Sequence, residues 1–133
     1  MAKSSGLGWT TFSIDNAGGT PVDVRNDCTN LSFATPRAVQ DVTGIDKSAN
    51  ERLLLLADGS LTGDFVFNPT GAHTVLATIP STSVIRTVSL GVGGKSLAME
   101  MIGTDYPLQR TNTGELTASV PFSLADGTVP TWA

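Results

Sequence analysis

The chain has 133 residues, 40% of them hydrophobic and 15% charged, a length that predicts one domain (1–133) burying about two-thirds of the surface its unfolded chain exposes. Eight Lys and Arg against twelve Asp and Glu give a net charge of −4, and the cations are scattered, so the chain lacks the basic cluster that grips nucleic acid or an anionic membrane. Its single cysteine, Cys28, excludes an intrachain disulfide and argues against a cysteine-based metal site.

Residues 1–8 are small and read as a flexible lead-in without the apolar stretch of a secretory signal, so synthesis in a reducing cytoplasm is expected. No apolar run approaches the roughly 20 residues that cross a bilayer. Residues 9–15 place Phe12 and Ile14 on one face of a strand, with Thr11, Ser13 and Asp15 on the other. The Asn16-Ala17-Gly18-Gly19-Thr20-Pro21 cluster turns the chain into a returning strand with Val22 and Val24 inward. Leu31 and Phe33 begin a short strand that Pro36 interrupts. Residues 36–52 are polar and nearly non-periodic, and read as a long loop; such loops usually have a function.

The apolar run 52–57, Asp58-Gly59 and the alternating segment 61–67 read as a hairpin. Ala72, Val75, Leu76 and Ile79 then fall at helical spacing, predicting a helix over about 69–79, with Asn68 or Thr70 as cap and Pro80 as stop. Alternation resumes at 84–90. Gly91-Val92-Gly93-Gly94 makes a turn, 97–102 forms the next strand, and a loop follows over 103–114. The last strand, 116–124, alternates most regularly, placing Leu116, Val120 and Phe122 inward with Phe65, Phe67, Leu97, Met99, Val75, Leu76 and Ile79. Pro121 predicts that this strand lies at an edge or carries a bulge. Residues 125–133 read as a loose tail ending near Trp132. The predicted fold is mainly β (α+β): an antiparallel two-sheet sandwich or flattened barrel with one flanking helix.

No catalytic, cofactor or metal site emerges. Gly91-Val92-Gly93-Gly94-Lys95-Ser96 resembles a phosphate loop, but Ser89 stands where the motif needs its first Gly, and a strand rather than a helix follows. His73 is the only histidine and has no partner constellation for base catalysis. The carboxylates are dispersed, and Asp23 and Asp27 read as solvated. Cys28 reads as a small packed residue, not a nucleophile, and the chain is expected not to be an enzyme.

The order of elements resembles that of a tail tube (major tail) protein of long, non-contractile-tailed bacteriophages over about residues 9–124. The resemblance is carried by an N-terminal hairpin, then a polar loop with Gln40-Asp41-Val42-Thr43-Gly44. The segment Asn50-Glu51-Arg52-Leu53-Leu54-Leu55-Leu56-Ala57-Asp58-Gly59-Ser60-Leu61-Thr62-Gly63-Asp64-Phe65 follows. A single helix comes next, and Asp105-Tyr106-Pro107-Leu108-Gln109-Arg110 precedes the last long strand.

The resemblance implies six-copy rings that stack into a tube around a tape-measure protein, meet terminator and tip proteins at the tail's ends, and later pass DNA without specific binding. It implies location in the virion tail after synthesis in the host cytoplasm. In such a ring Asp64 and Glu100, with Asp23 as a weaker candidate, face the bore. Alternatively these acids lie on the outer wall or pair with Arg86 or Lys95 between subunits. The loop residues Gln40, Asp41, Thr43, Asp46 and Lys47 are candidates for ring stacking. The competing readings are a β-sandwich module binding carbohydrate or protein, a capsid decoration protein, and a tube-like ring protein of type VI secretion.

Overall fold

A computed structural model describes residues 3–133. In β1 (Thr11–Asp15) Phe12 and Ile14 are buried as the alternation requires. The Asn16 carboxamide oxygen accepts the Gly18 and Thr20 amides at 2.9 and 3.0 Å. This tightens the turn into β2 (Pro21–Asp23), which places Ile14 opposite Val22 and Ser13 opposite Asp23. The chain continues through β3 (Cys28–Ala34), β4 (Arg37–Asp41), β5 (Arg52–Ala57) and β6 (Ser60–Val66). A short helix α1 (His73–Leu76) precedes β7 (Arg86–Val92), β8 (Lys95–Gly103), β9 (Leu108–Arg110) and β10 (Leu116–Leu124). Gly93 and Gly94, at φ of 61° and 78°, supply the left-handed turn between β7 and β8.

Eight strands form one antiparallel sheet in the order β2-β1-β7-β8-β10-β6-β3, with β9 beside β10; β4 and β5 form a separate pair. The large sheet curls until β1 and β6 face one another, and the Phe12 and Phe65 rings meet at 6.0 Å. Its terminal strands β2 and β3 do not pair, so the barrel stays open. The mainly β, antiparallel class is the one expected from sequence.

The helix is far shorter than 69–79. Ala72, Val75 and Leu76 are buried and Ile79 packs against them, so the apolar stripe is real. Most turns around it, however, close at i→i−3: Thr74 to Gly71, Val75 to Ala72, Thr78 to Val75, Ile79 to Leu76. The Thr74 and Thr78 hydroxyls bond back to the Gly71 and Val75 carbonyls at 2.7 and 2.8 Å, competing with helical geometry. Asn68 forms a local turn with Thr70 and does not cap the helix. The Ala72 amide is satisfied by Asp27 at 2.8 Å. Asp27 is therefore buried, not solvated.

Further expectations are overturned. The 36–52 loop is largely one strand and the tip of a hairpin, because β4 pairs with β5. β5 and β6 consequently do not pair, and Asp58-Gly59 is a crossover in which Asp58 donates its amide to the Pro36 carbonyl at 2.9 Å. β10 lies inside the sheet, not at an edge. The Pro121 carbonyl accepts the Thr104 amide at 3.2 Å, so its missing donor points to the β8 side, where pairing runs only from Phe122 to Leu124. Leu116, assigned inward by period, is exposed because it extends past the end of the core. The tail crosses back along β8: Ser96 and Ala133 exchange backbone bonds of 3.0 and 2.8 Å, and Trp132 meets the Phe33 ring at 6.0 Å.

Candidate functional site

The β4–β5 arm is the most conspicuous surface. Gln40 stands opposite Leu53, and Val39 opposite Leu54. Successive side chains on a two-stranded ribbon point to opposite faces, so the run Leu53 to Leu56 places leucines on both. All four are exposed, Leu56 by 85%, along with Val39, Val42 and Ile45. A lone hairpin is at best marginal in water, and an apolar patch of this kind marks an interaction surface.

Its tip, by contrast, is self-satisfied. Asp41 accepts the Thr43 amide at 2.9 Å and its hydroxyl at 2.5 Å, which holds the Asp41 carboxyl below the usual range. The Thr43 hydroxyl accepts the Glu51 amide at 2.8 Å. Lys47 lies 3.4 Å from Asp46 and 3.8 Å from Glu51. Of the five stacking candidates, Gln40 and Asp41 sit on β4, and Asp41, Thr43, Asp46 and Lys47 engage mainly one another or the tip. Sequence patterning does not single out the leucines beside them, because a continuous apolar run reads as a core strand.

The second surface is the outward face of the large sheet. The outward positions of β1, β6, β7, β8 and β10 carry mainly Ser and Thr with Asp15, Asp64 and Glu100, and no Lys or Arg. Glu100 accepts the Thr87 hydroxyl at 2.7 Å, its partner on β7. Continuing the β1–β7 register past Ile14–Val88 brings Asp15 beside Thr87, so Asp15, Thr87 and Glu100 form one row. Asp23 is bound to Arg25 at 2.8 Å, and that guanidinium lowers its carboxyl pKa.

Asp64 is elsewhere. It stands opposite Ser119 on β10, whereas Glu100 bonds Ala125. Those β10-side positions differ by six residues (125 − 119), about 20 Å at about 3.3 Å per residue. Asp64 lies on the wall of a cleft of about 600 Å³ shared with Thr29, Pro107, Leu108, Gln109 and Ser119. The sheet therefore does not gather the three acids into one cluster.

Arg86 is unavailable to any neighbouring subunit. It is 1% exposed and donates to the Asp15 carbonyl at 3.0 Å and the Thr78 hydroxyl at 2.5 Å; burial lowers its pKa. Lys95 remains exposed. His73 Nδ1 lies 3.0 Å from the Tyr106 hydroxyl, and its ring rests 4.6 Å from Phe67. Burial raises the Cys28 thiol to about 11, which keeps it protonated near neutrality and a poor nucleophile.

No protein-family model matches the chain, and no curated protein is significantly similar to it. Solved structures share its fold. A chain of the tail of an empty gene transfer agent particle, refined with C6 symmetry, superposes with a TM-score of 0.77 at 14% identity, covering 98% of this chain and 99% of that one. A chain of the native gene transfer agent virion gives 0.72 at 13% identity, covering 90% and 95%. A chain of the six-fold symmetrised baseplate of the anti-feeding prophage gives 0.62 at 10% identity, covering 100% and 97%.

Proposed function

We propose that the chain is a structural, non-catalytic subunit of a bacteriophage tail or tail-like particle, forming six-copy rings that stack into the tail tube. The observation that carries this reading is the arm: its exposed leucines gain burial only in an assembly. The near end-to-end superposition on a chain from a tail with C6 symmetry supports it. In this reading the rings enclose a tape-measure protein, end on terminator and tip proteins, and later pass DNA without specific contacts. Six copies at −4 carry 6 × −4 = −24, and the cation-free hydroxyl face with Glu100 and Asp15 lines the bore, where nothing grips phosphate.

The arm gives the first test. Leu54→Asp with Leu56→Asp should leave the circular dichroism of the folded domain unchanged, because both residues are exposed. Negative-stain microscopy should nevertheless show loss of stacked tubes. Tubes of normal length would remove the arm from the stacking contact, and a wild-type chain that never forms rings or tubes would sink the tube reading itself. The bore gives the second. Glu100→Lys should assemble normally but slow DNA delivery, since a cation then faces passing phosphates. Delivery at the wild-type rate would place Glu100 outside the bore.

A further inference from the structure

We infer that the cleft beside Asp64 is the seat for the β4–β5 arm of a second copy in the adjoining ring. The inference rests on the tube reading above and names both halves of its stacking contact.

The arm and the cleft lie at different ends of the same strands. The arm leaves the sheet where Ala34 pairs with Ser60, at one end of β3 and β6. The cleft lies toward the other end of these strands, around Asp64 on β6 and Leu108 opposite Ala118, four to six residues along β6, or about 13–20 Å. Two different patches displaced along one subunit make a heterologous contact. Repeated, such a contact propagates and does not stop at a dimer.

The two patches also differ in charge. Arg37 and Arg52 flank the arm's leucines, and neither takes part in an ion pair among the described residues. Arg37 spends its Nε on the Leu55 carbonyl at 2.9 Å. At the cleft, Asp64 is likewise outside every ion pair, and Asp105 and Glu115 flank the segments on either side, with Arg110 the one cation between them. A leucine strand flanked by two guanidiniums outside any ion pair thus faces a recess whose wall carries one carboxylate, Asp64, and no cation. Apolar surface is present as well: Val66, on the same face of β6 as Asp64, is exposed by 39%, and Leu108 on the cleft wall by 44%, giving the leucines something to cover.

Two experiments on the full chain decide it, read on assembled tubes and on tails recovered from producing cells. In a Cys28→Ser background, Leu54→Cys combined with Leu108→Cys should give, under mild oxidation, a ladder of disulfide-linked species beyond the dimer. Monomers alone, or a ladder ending at the dimer, would overturn the inference. Asp64→Arg should halt assembly at single rings, and adding Arg52→Asp should restore tubes. Where Asp64→Arg disturbs folding by circular dichroism, Leu108→Asp at its exposed site takes its place, with the same loss expected. Normal tubes from these variants would overturn the cleft as the seat while leaving the tube reading intact; slowed DNA delivery with normal tubes would move Asp64 to the bore.

Discussion

Phe122→Ala should destabilise the folded chain by about 3–5 kcal/mol, the usual loss for a fully buried phenylalanine. Phe122 is 1% exposed on β10, which pairs with β6 on one side and β8 on the other. Its ring lies over Gly103 beside Ile79, where an added Cβ at Gly103 would come within 3.1 Å of Phe122 and 2.8 Å of Ile79. Both flanking strands are held by ladder hydrogen bonds, so the wall cannot collapse into the void, and a cavity remains. The loss is a large share of a typical stability of about 5–15 kcal/mol. Leu116→Ala on the same strand and of the same parity should cost under about 1 kcal/mol, because Leu116 projects past the core into solvent. Urea melts of the two variants test the pair together; equal losses would mean that parity alone decides burial along β10.

That pair marks how far period-2 reasoning reaches. Alternation located β1, β3, β6, β7, β8 and β10, because each has one face on a common core and one in water. It failed for Leu116, since parity says which way a side chain points but not whether anything is there to cover it. The helical stripe of Ala72, Val75 and Leu76 was legible for the same reason. The length of the helix was not: the Thr74 and Thr78 hydroxyls and the i→i−3 turns act below the resolution of a hydrophobic pattern.

A continuous run such as Leu53 to Leu56 is what a strand buried on both faces looks like, and within one subunit this strand is buried on neither. In the proposed assembly, burial against another copy leaves the same sequence mark as burial in a core, so the run reads as part of the fold and the polar tip as the contact. The Asp58-Gly59 signal failed as well: Gly59 has no positive φ, unlike Gly93 and Gly94, and the chain passes from arm to sheet there without a hairpin turn. The outward acids were legible as outward. Their separation was not, because it depends on the shear between β8 and β10.

Asp27→Ala should cost about 3–4 kcal/mol, and nothing near it in sequence announces this. Its carboxylate is buried and accepts the Asn68 side-chain amide at 3.0 Å and the Ala72 backbone amide at 2.8 Å; its own carbonyl takes the Val66 amide at 2.9 Å. One side chain thus ties the exit of the first hairpin to the segment carrying Ala72, Val75 and Leu76, 45 residues away. Gly71 is forced by the same contact, since a Cβ there would overlap both Asp27 and Asn68. Hydrogen bonds to a charged group contribute about 1.5–3 kcal/mol each, and truncation leaves the buried Ala72 amide without a partner. Asp27→Asn keeps the shape but turns one acceptor into a donor, so it should lose about half as much. A double-mutant cycle with Asn68→Ala should show coupling of about 1 kcal/mol or more, because the two residues share one bond. Strict additivity, or an Asp27→Ala loss below about 1 kcal/mol in denaturant melts, would show that apolar packing of Val75 and Leu76 holds the segment without the carboxylate.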